Sequence, residues 1–169
     1  MPERYHIRIE KERLVFSAAH FITYNGDVCE PLHGHNWHVT AEVEGPLDEN
    51  HYVVDFIAVR DALQRIVDAL DHRMLLPTEH STIDVAETPG AAGEPGEVVV
   101  AHGERRWVFP RQDCVLLPVA NTTAELLAKY IADELREALA DKLPAPPERL
   151  SVAVDECDGQ WGVYEWTAD

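Results

Sequence analysis

The chain has 169 residues, of which 46% are hydrophobic, and a formal net charge of −17 at pH 7. This length predicts one domain, over residues 1–169, with a core of its own. This acidic balance argues against binding to nucleic acid or to an anionic membrane, because both require a positively charged surface. A small anionic substrate is compatible with it, because exposed charges are screened within about 8–10 Å. No apolar run approaches the roughly 20 residues of a membrane span. The charged, alternating start is unlike a signal peptide, so we expect a cytoplasmic protein.

The cysteine count is odd, so the three thiols cannot all pair with one another. In a reducing compartment each one is expected to be a free thiol or a site residue. They are Cys29, Cys114 and Cys157.

Two long strands are predicted before residue 45. Apolar and polar residues alternate in "YHIRIE", and after the charged "KER" Leu14 to His20 continue the pattern. From His33 the alternation is regular, with an apolar side that contains two histidines. That side consists of His33, His35, Trp37, Val39, Ala41 and Val43.

Two amphipathic helices follow. Asp55 is expected to cap the first helix, which ends in "LDHRMLL". The second starts near Thr122, since Thr122 and Glu125 have capping-box spacing, and "PAPP" stops it. Two final strands, "RLSVAVDEC" and "GVYEWTA", flank a "DGQ" turn.

Between the helices lie a surface loop, "TPGAAGEPG", and a predicted β-hairpin, "EVVVAHGERRWVF", around His102 and Gly103. The order of the elements predicts an α+β fold. We expect a four-stranded antiparallel sheet with two helices on one face and an inserted hairpin.

A metal site is predicted where the first two strands pair. His33 and His35 project to the same side of one strand, and His20 lies on the apolar face of its expected neighbour. Zinc held by three histidines with a fourth position open is typical of a catalytic centre. The alternative is that His33 and His35 are core histidines bonded to backbone, with Gly34 in a bulge. His38 has the wrong parity to join them.

Cys29 precedes this pattern by four residues. A nearby Zn²⁺ would lower the pKa of its thiol and make it a usable base or nucleophile. Cys29 is otherwise a fourth metal ligand, or an inert small residue.

Two further candidates carry acid–base groups. Asp71 can orient His72 for proton transfer, although a histidine in the last turn of a helix is favourable whatever its role. Glu156 shares parity with the apolar residues of its strand, and a buried carboxylate needs a partner such as the guanidine-like edge of a pterin. At the end of the strand it is equally able to turn into solvent.

Together these motifs resemble one family, the 6-pyruvoyl-tetrahydropterin and 6-carboxytetrahydropterin synthases. The resemblance covers the chain apart from an insertion at about 78–118. The motifs that carry it are "FSAAH", "C…HGHN", "VVDF", "LDH", "NTTAELLAKYI" and the strand that bears Glu156.

The resemblance implies a tunnelling-fold subunit, assembled as trimers stacked into a homohexamer with active sites between subunits. Its residues match the family's functional positions in three groups. These are the zinc ligands His20, His33 and His35, the catalytic residues Cys29, Asp71 and His72, and the substrate-binding residues Thr123, Glu125 and Glu156.

The implied reaction uses zinc to convert 7,8-dihydroneopterin triphosphate into 6-carboxy-5,6,7,8-tetrahydropterin, releasing acetaldehyde and triphosphate, a step towards queuosine. The 6-pyruvoyl product is an alternative. So is 6-hydroxymethyl-dihydropterin of the folate branch, because Glu30 follows Cys29 and that branch has a glutamate in place of the cysteine. The non-enzymatic alternative is a zinc- or pterin-binding protein without turnover.

Overall fold

A computed structural model of the chain describes residues 3–26, 28–91, 95–143 and 146–168. Parts of the predicted "TPGAAGEPG" loop (92–94) and "PAPP" stop (144–145) lie outside this range. The helices are α1 (Phe56–Leu70) and α2 (Ala124–Leu139), with a 3₁₀ turn at Arg111–Asp113. The strands are β1 (Tyr5–His20), β2 (Thr23–Tyr24), β3 (Val28–Cys29), β4 (His33–Gly45), β5 (Arg73–Pro77), β6 (Asp84–Thr88), β7 (Glu97–His102), β8 (Arg105–Pro110), β9 (Cys114–Leu117), β10 (Arg149–Cys157) and β11 (Gln160–Thr167). No helix among the described residues is both long and apolar enough to span a membrane.

The main sheet has six strands in the order β11-β10-β4-β1-β5-β9. Its first four strands are antiparallel neighbours, and the α+β prediction is confirmed. The last two extend the sheet on one edge, where β5 runs parallel to β1 and β9 parallel to β5. The sheet is therefore mixed, with two strands more than we predicted from the sequence.

The prediction that "LDHRMLL" belongs to the first helix is wrong. The helix ends at Leu70, because Asp71 is extended and His72 takes a left-handed φ of 56°. Met74 to Pro77 are then all buried in the sheet as β5. A run of four apolar residues after a helix has no periodicity that separates buried strand from buried helix.

The core lies between the sheet and the two helices. Phe16 and Trp37 stack in it with ring centroids 5.9 Å apart, and both are fully buried. From the helices it receives the fully buried side chains of Val59, Leu63, Val67, Leu127, Ile131 and Leu135. The inward side of β4 is the one that the alternation of its sequence predicted.

The two predicted helix caps have different outcomes. Asp55 caps α1 as expected, its carboxylate accepting a 2.8 Å hydrogen bond from the backbone N–H of Ile57. The capping box of Thr122 and Glu125 is wrong, because the residue before α2 is Thr123 and no side chain caps this helix. Thr122 is instead fully buried.

The predicted hairpin is confirmed, with β7 and β8 paired around Gly103. It gains a third strand, β6, and forms a separate sheet. This sheet packs against β5, β9 and the β2–β3 segment through a second apolar cluster. We call this cluster the insertion core, and the β6–β8 sheet the inserted sheet, after the insertion that the sequence predicts at about 78–118. The buried members of the insertion core are Phe21, Cys29, Met74, Leu76, Ile83, Val98, Val100 and Cys114.

Candidate metal centre

Three histidines meet where the end of β1 lies beside the start of β4. His20 pairs with His33 in the β-ladder, and Ala18 pairs with His35. The register is regular here, so Gly34 is not in a bulge. The ring centroids of the three imidazoles are 4.7 Å (His20–His33), 4.8 Å (His33–His35) and 5.3 Å (His20–His35) apart.

Backbone carbonyls fix the tautomers of two of these rings. Nδ1 of His20 lies 2.9 Å from the carbonyl oxygen of Thr122, and Nδ1 of His33 lies 2.9 Å from that of Pro31. A carbonyl only accepts, so both Nδ1 atoms donate and both Nε2 atoms keep a free lone pair. Such a hydrogen bond on the far nitrogen is how proteins orient histidine ligands of a metal.

Glu156 completes the group. One ligand atom from each of His20, His33, His35 and Glu156 lies within 4.8 Å of the others. Glu156 Oε1 is 3.3 Å from His35 Nε2 and 4.0 Å from His20 Nε2. The contact with His35 lacks hydrogen-bond geometry, and both Nε2 atoms are buried without a hydrogen-bond partner among the described residues. Buried acceptors left unpaired are costly, and a divalent cation would satisfy them. The donor set fits zinc.

The packing below the rings excludes water. Trp37 is fully buried, with its ring edge-on to His20 and His35 at centroid distances of 4.9 and 5.1 Å. Gly34 lets β4 approach β1 here, since a Cβ at this position would lie 3.1 Å from the carbonyl oxygen of Ala18. The glycine of "HGH" is thus explained by close strand packing.

Asn121 and Thr122 have a role that was not predicted from the sequence. The Thr122 hydroxyl donates to the carbonyl of Phe21 (3.2 Å), and the Asn121 amide donates to that of Thr23 (3.0 Å). These bonds, with that from His20, fasten the end of β1 to the start of α2. The sequence signal was present in "NTT", but cap spacing offered a simpler explanation.

His20 makes the metal-free protein sensitive to acid. Burial is the main cause that lowers the pKa of His20 from 6.5 to about 4, while the bond to Thr122 opposes it. The unfolded chain therefore binds a proton at this residue that the folded chain rejects, and stability falls as the pH drops from 6.5 towards 4. We expect the metal-free protein to lose about 2 kcal/mol of unfolding free energy between pH 7.5 and pH 5 through this group.

Urea unfolding in the presence of a chelator measures this loss. His20→Asn should flatten the pH dependence, whereas His38→Asn, at an exposed site on β4, should leave it unchanged. An equally steep profile in His20→Asn would show that other groups cause it.

The side chains of Cys29 and Glu30 point into different surroundings. The Cys29 side chain is buried in the insertion core, and burial raises its pKa, while the Arg105 guanidinium opposes the shift. The Glu30 carboxylate faces the histidines, with Oε2 3.8 Å from His33 Nε2. Among the described residues of one chain, the carboxylate closest to His33 is therefore that of Glu30.

Asp71 and His72 form a pair away from this group. The Ser17 backbone N–H donates to Asp71 at 2.7 Å and lowers the pKa of the carboxyl. Asp71 Oδ2 is 2.7 Å from Nδ1 of His72, whose side chain is 82% exposed. His72 lines a surface cavity with Ser17 and Asn36, and His35 of the histidine group borders the same cavity. Within the described residues of one chain, no hydrogen bond or ion pair joins the pair to the histidine group.

The two remaining sequence candidates lie at the start of α2. Thr123 precedes the helix and is partly exposed, and Glu125, in its first turn, is exposed. Gly162 on β11 allows this helix start to pack closely, since a Cβ there would lie 2.5 Å from the Glu125 nitrogen. Neither candidate belongs to the histidine group.

Comparison with known proteins agrees with this architecture. The family model described as "6-pyruvoyl tetrahydropterin synthase" matches residues 8–166. The chain belongs to the 6-pyruvoyl tetrahydropterin synthase family. A protein of Methanocaldococcus jannaschii, provisionally named 6-carboxy-5,6,7,8-tetrahydropterin synthase, is 28% identical over 152 residues, covering 89% of each chain. The 6-carboxy-5,6,7,8-tetrahydropterin synthase of Aquifex aeolicus is 28% identical over 141 residues, which are 79% of this chain and 74% of that one.

Solved structures support the fold. A Plasmodium vivax 6-pyruvoyltetrahydropterin synthase, described as carrying an alanine in place of a catalytic glutamate, superposes with a TM-score of 0.84 at 23% identity. The match covers 99% of this chain and 100% of that one. The predicted tunnelling fold is confirmed. Family membership and the named relatives together support a pterin synthase activity, with the histidine group as its candidate metal centre.

Proposed function

We propose that this chain is a zinc-dependent lyase that converts 7,8-dihydroneopterin triphosphate and water into 6-carboxy-5,6,7,8-tetrahydropterin, acetaldehyde and triphosphate, in the queuosine branch. The observation that carries the proposal is the convergence of three imidazoles beside a carboxylate. Two of these imidazoles have a buried Nε2 atom without a hydrogen-bond partner among the described residues. The names of the relatives support the choice of product.

His20, His33 and His35 would hold the metal in this proposal. Bound zinc supplies a Lewis acid that acidifies the C–H next to the side-chain hydroxyls of the substrate. The buried Trp37 and the rigid β1–β4 ladder keep the three rings in place. The surrounding side chains then have to bind the pterin and move protons.

Cys29 is the proposed base, and to act so its thiol has to turn from the insertion core towards the histidine group. The Asp71–His72 pair is the proposed partner that returns a proton. The pair makes no hydrogen bond or ion pair with the histidine group of its own chain among the described residues, and we propose that it completes the site of a neighbouring subunit in a homohexamer. Thr123 and Glu125, at the start of α2, would line the pterin pocket. Burial raises the pKa of the Cys29 thiol and Arg105 opposes this shift, while a nearby cation would lower the pKa.

Glu156 is the proposed anchor for the pterin ring, because a carboxylate binds two N–H donors of a guanidine-like edge. We expect Glu156→Gln to raise the KM for substrate about 10–100-fold, because this is the loss of affinity that follows when hydrogen bonds to a charged group are weakened. Zinc content should stay unchanged. Because Glu156 lies so close to His35, loss of zinc in this variant would instead identify it as a metal ligand. The exposed Glu165 of β11 offers a control position, where glutamine should leave KM unaltered.

A second candidate function follows from the position of Glu30. Its carboxylate lies 3.8 Å from His33 Nε2, while the Cys29 thiol faces the insertion core. With Glu30 as base, cleavage between the first and second side-chain carbons would release 6-hydroxymethyl-dihydropterin and the triphosphate of glycolaldehyde. A catalytic glutamate is compatible with this fold, since the Plasmodium vivax 6-pyruvoyltetrahydropterin synthase is described as having one.

Product analysis separates these functions. The zinc-loaded protein is incubated with 7,8-dihydroneopterin triphosphate, and pterins and aldehydes are identified by mass spectrometry. Acetaldehyde with 6-carboxytetrahydropterin supports the first proposal, and hydroxymethyl-dihydropterin supports the second. Tight binding of unchanged substrate would contradict both and indicate a pterin-binding protein.

A further inference from the structure

The inserted sheet reaches the segment that leads into the histidine motif. Phe21, directly after His20, stacks on Trp107 of β8 with ring centroids 4.7 Å apart. Cys29 is buried against strands of the same sheet, in the insertion core. The insertion therefore packs on both ends of the 21–30 segment rather than standing apart from the site.

Arg105, the first residue of β8, binds this segment directly. Its Nη1 donates to the carbonyl oxygen of Cys29 at 2.9 Å and to that of Glu30 at 3.2 Å. From the other side, the Glu30 N–H donates to the carbonyl of Ile22 at 2.9 Å. The peptide between Cys29 and Glu30 is thus held by hydrogen bonds from two directions.

The rotation of this segment about its long axis decides which side chain faces the metal centre. Successive side chains of an extended segment point to opposite sides. In the structure Cys29 enters the insertion core and Glu30 approaches His33. A half-turn of the whole segment about its long axis would exchange the two, as a one-residue slip exchanges the faces of a strand.

We propose that Arg105 is a positioning residue: by binding the carbonyl oxygens of Cys29 and Glu30, it sets which of their side chains is presented to the histidine group. A guanidinium suits this task because it offers several donors in a rigid plane and stays charged at any working pH. The inserted sheet would thereby influence the choice between the two reactions. This effect on product choice rests on the proposed function. The two hydrogen bonds from Arg105 to the carbonyl oxygens of Cys29 and Glu30, which we call the clamp, do not depend on it.

The clamp can be tested through the three free cysteines. The unsubstituted protein and Arg105→Met are treated with iodoacetamide, and the alkylation rate of each cysteine is measured by peptide mass spectrometry. Cys114, buried in the insertion core, reports general opening of that cluster, and the exposed Cys157 reports reagent activity. Loss of the clamp should speed alkylation of Cys29 roughly fivefold or more through local opening, with Cys114 and Cys157 unchanged.

Arg106→Met is the matched control. Arg106 is the next residue of β8, is exposed, and makes no side-chain hydrogen bond within the described part of the chain. It should leave Cys29 as slow as in the natural protein, and Arg105→Lys should restore part of the protection. Equal acceleration of Cys29 and Cys114 would overturn the proposal in favour of a merely structural role, and no acceleration would overturn the clamp.

The consequence for chemistry has a separate readout. Arg105→Met should change the ratio of carboxy- to hydroxymethyl-pterin, a quantity that a general loss of stability leaves unchanged. An altered alkylation rate with an unaltered ratio would overturn the role in product choice. If neither the unsubstituted protein nor any variant turns over substrate, but Arg105→Met still speeds alkylation of Cys29, the proposed function is wrong and the clamp is supported.

Discussion

His33→Ala is expected to release the bound zinc and to reduce turnover by a factor of about 10³ or more, equivalent to some 4 kcal/mol of transition-state stabilisation. The proposed site has three imidazole ligands, and removing one leaves too few protein donors for a stable catalytic centre. His33 is the informative choice because its side chain is 34% exposed, whereas His20 is fully buried. Its loss should therefore leave the core intact.

His38→Ala provides the control for this experiment. His38 lies on the same strand, is exposed and has the opposite parity. We expect it to keep full zinc content, turnover and melting temperature. Metal content is read by elemental analysis of dialysed protein. Retention of stoichiometric zinc by His33→Ala would refute the three-histidine site and point to His20, His35 and Glu156 as the ligands.

Cys29→Ala and Glu30→Gln are expected to separate the two proposed reactions. General bases contribute about 10²–10⁴ in rate, so Cys29→Ala should lower formation of 6-carboxytetrahydropterin by at least 10²-fold. Zinc should remain bound, because the thiol faces the insertion core rather than the histidine group. Glu30→Gln should lower any formation of hydroxymethyl-dihydropterin by a similar factor and leave the carboxy product within a few-fold.

The opposite pattern would reassign the reaction. If Glu30→Gln abolishes all turnover while Cys29→Ala is active, then Glu30 is the base and the second candidate function is correct. Loss of zinc from Cys29→Ala would make Cys29 a ligand and contradict the mechanism. Cys114→Ala, at the other buried cysteine of the insertion core, controls for loss of a thiol from that cluster.

Sequence periodicity predicted most of the site's framework. Alternation from His33 to Val43 is strict, so it gave the correct inward face and put two imidazoles together with His20. The strand β5 was missed because Met74 to Leu76 are apolar without a period. The role of Thr122 was missed because its spacing to Glu125 imitates a helix cap, whereas tertiary bonds to Phe21 and His20 decide its position.

The sequence alone could not predict the contribution of the insertion. Arg105 is about 75 residues from the Cys29–Glu30 peptide that it binds, and nothing in its neighbourhood distinguishes it from Arg106. The different surroundings of Cys29 and Glu30 likewise depend on which side the inserted sheet packs. These contacts link distant parts of the chain, and no local pattern encodes them.

Zinc K-edge X-ray absorption on the purified, zinc-loaded protein tests the central claim most directly. One zinc per chain is expected, with a first shell of nitrogen and oxygen only and the multiple scattering that imidazole rings produce. A sulfur scatterer in that shell, or protein that fails to retain zinc at all, would contradict the account.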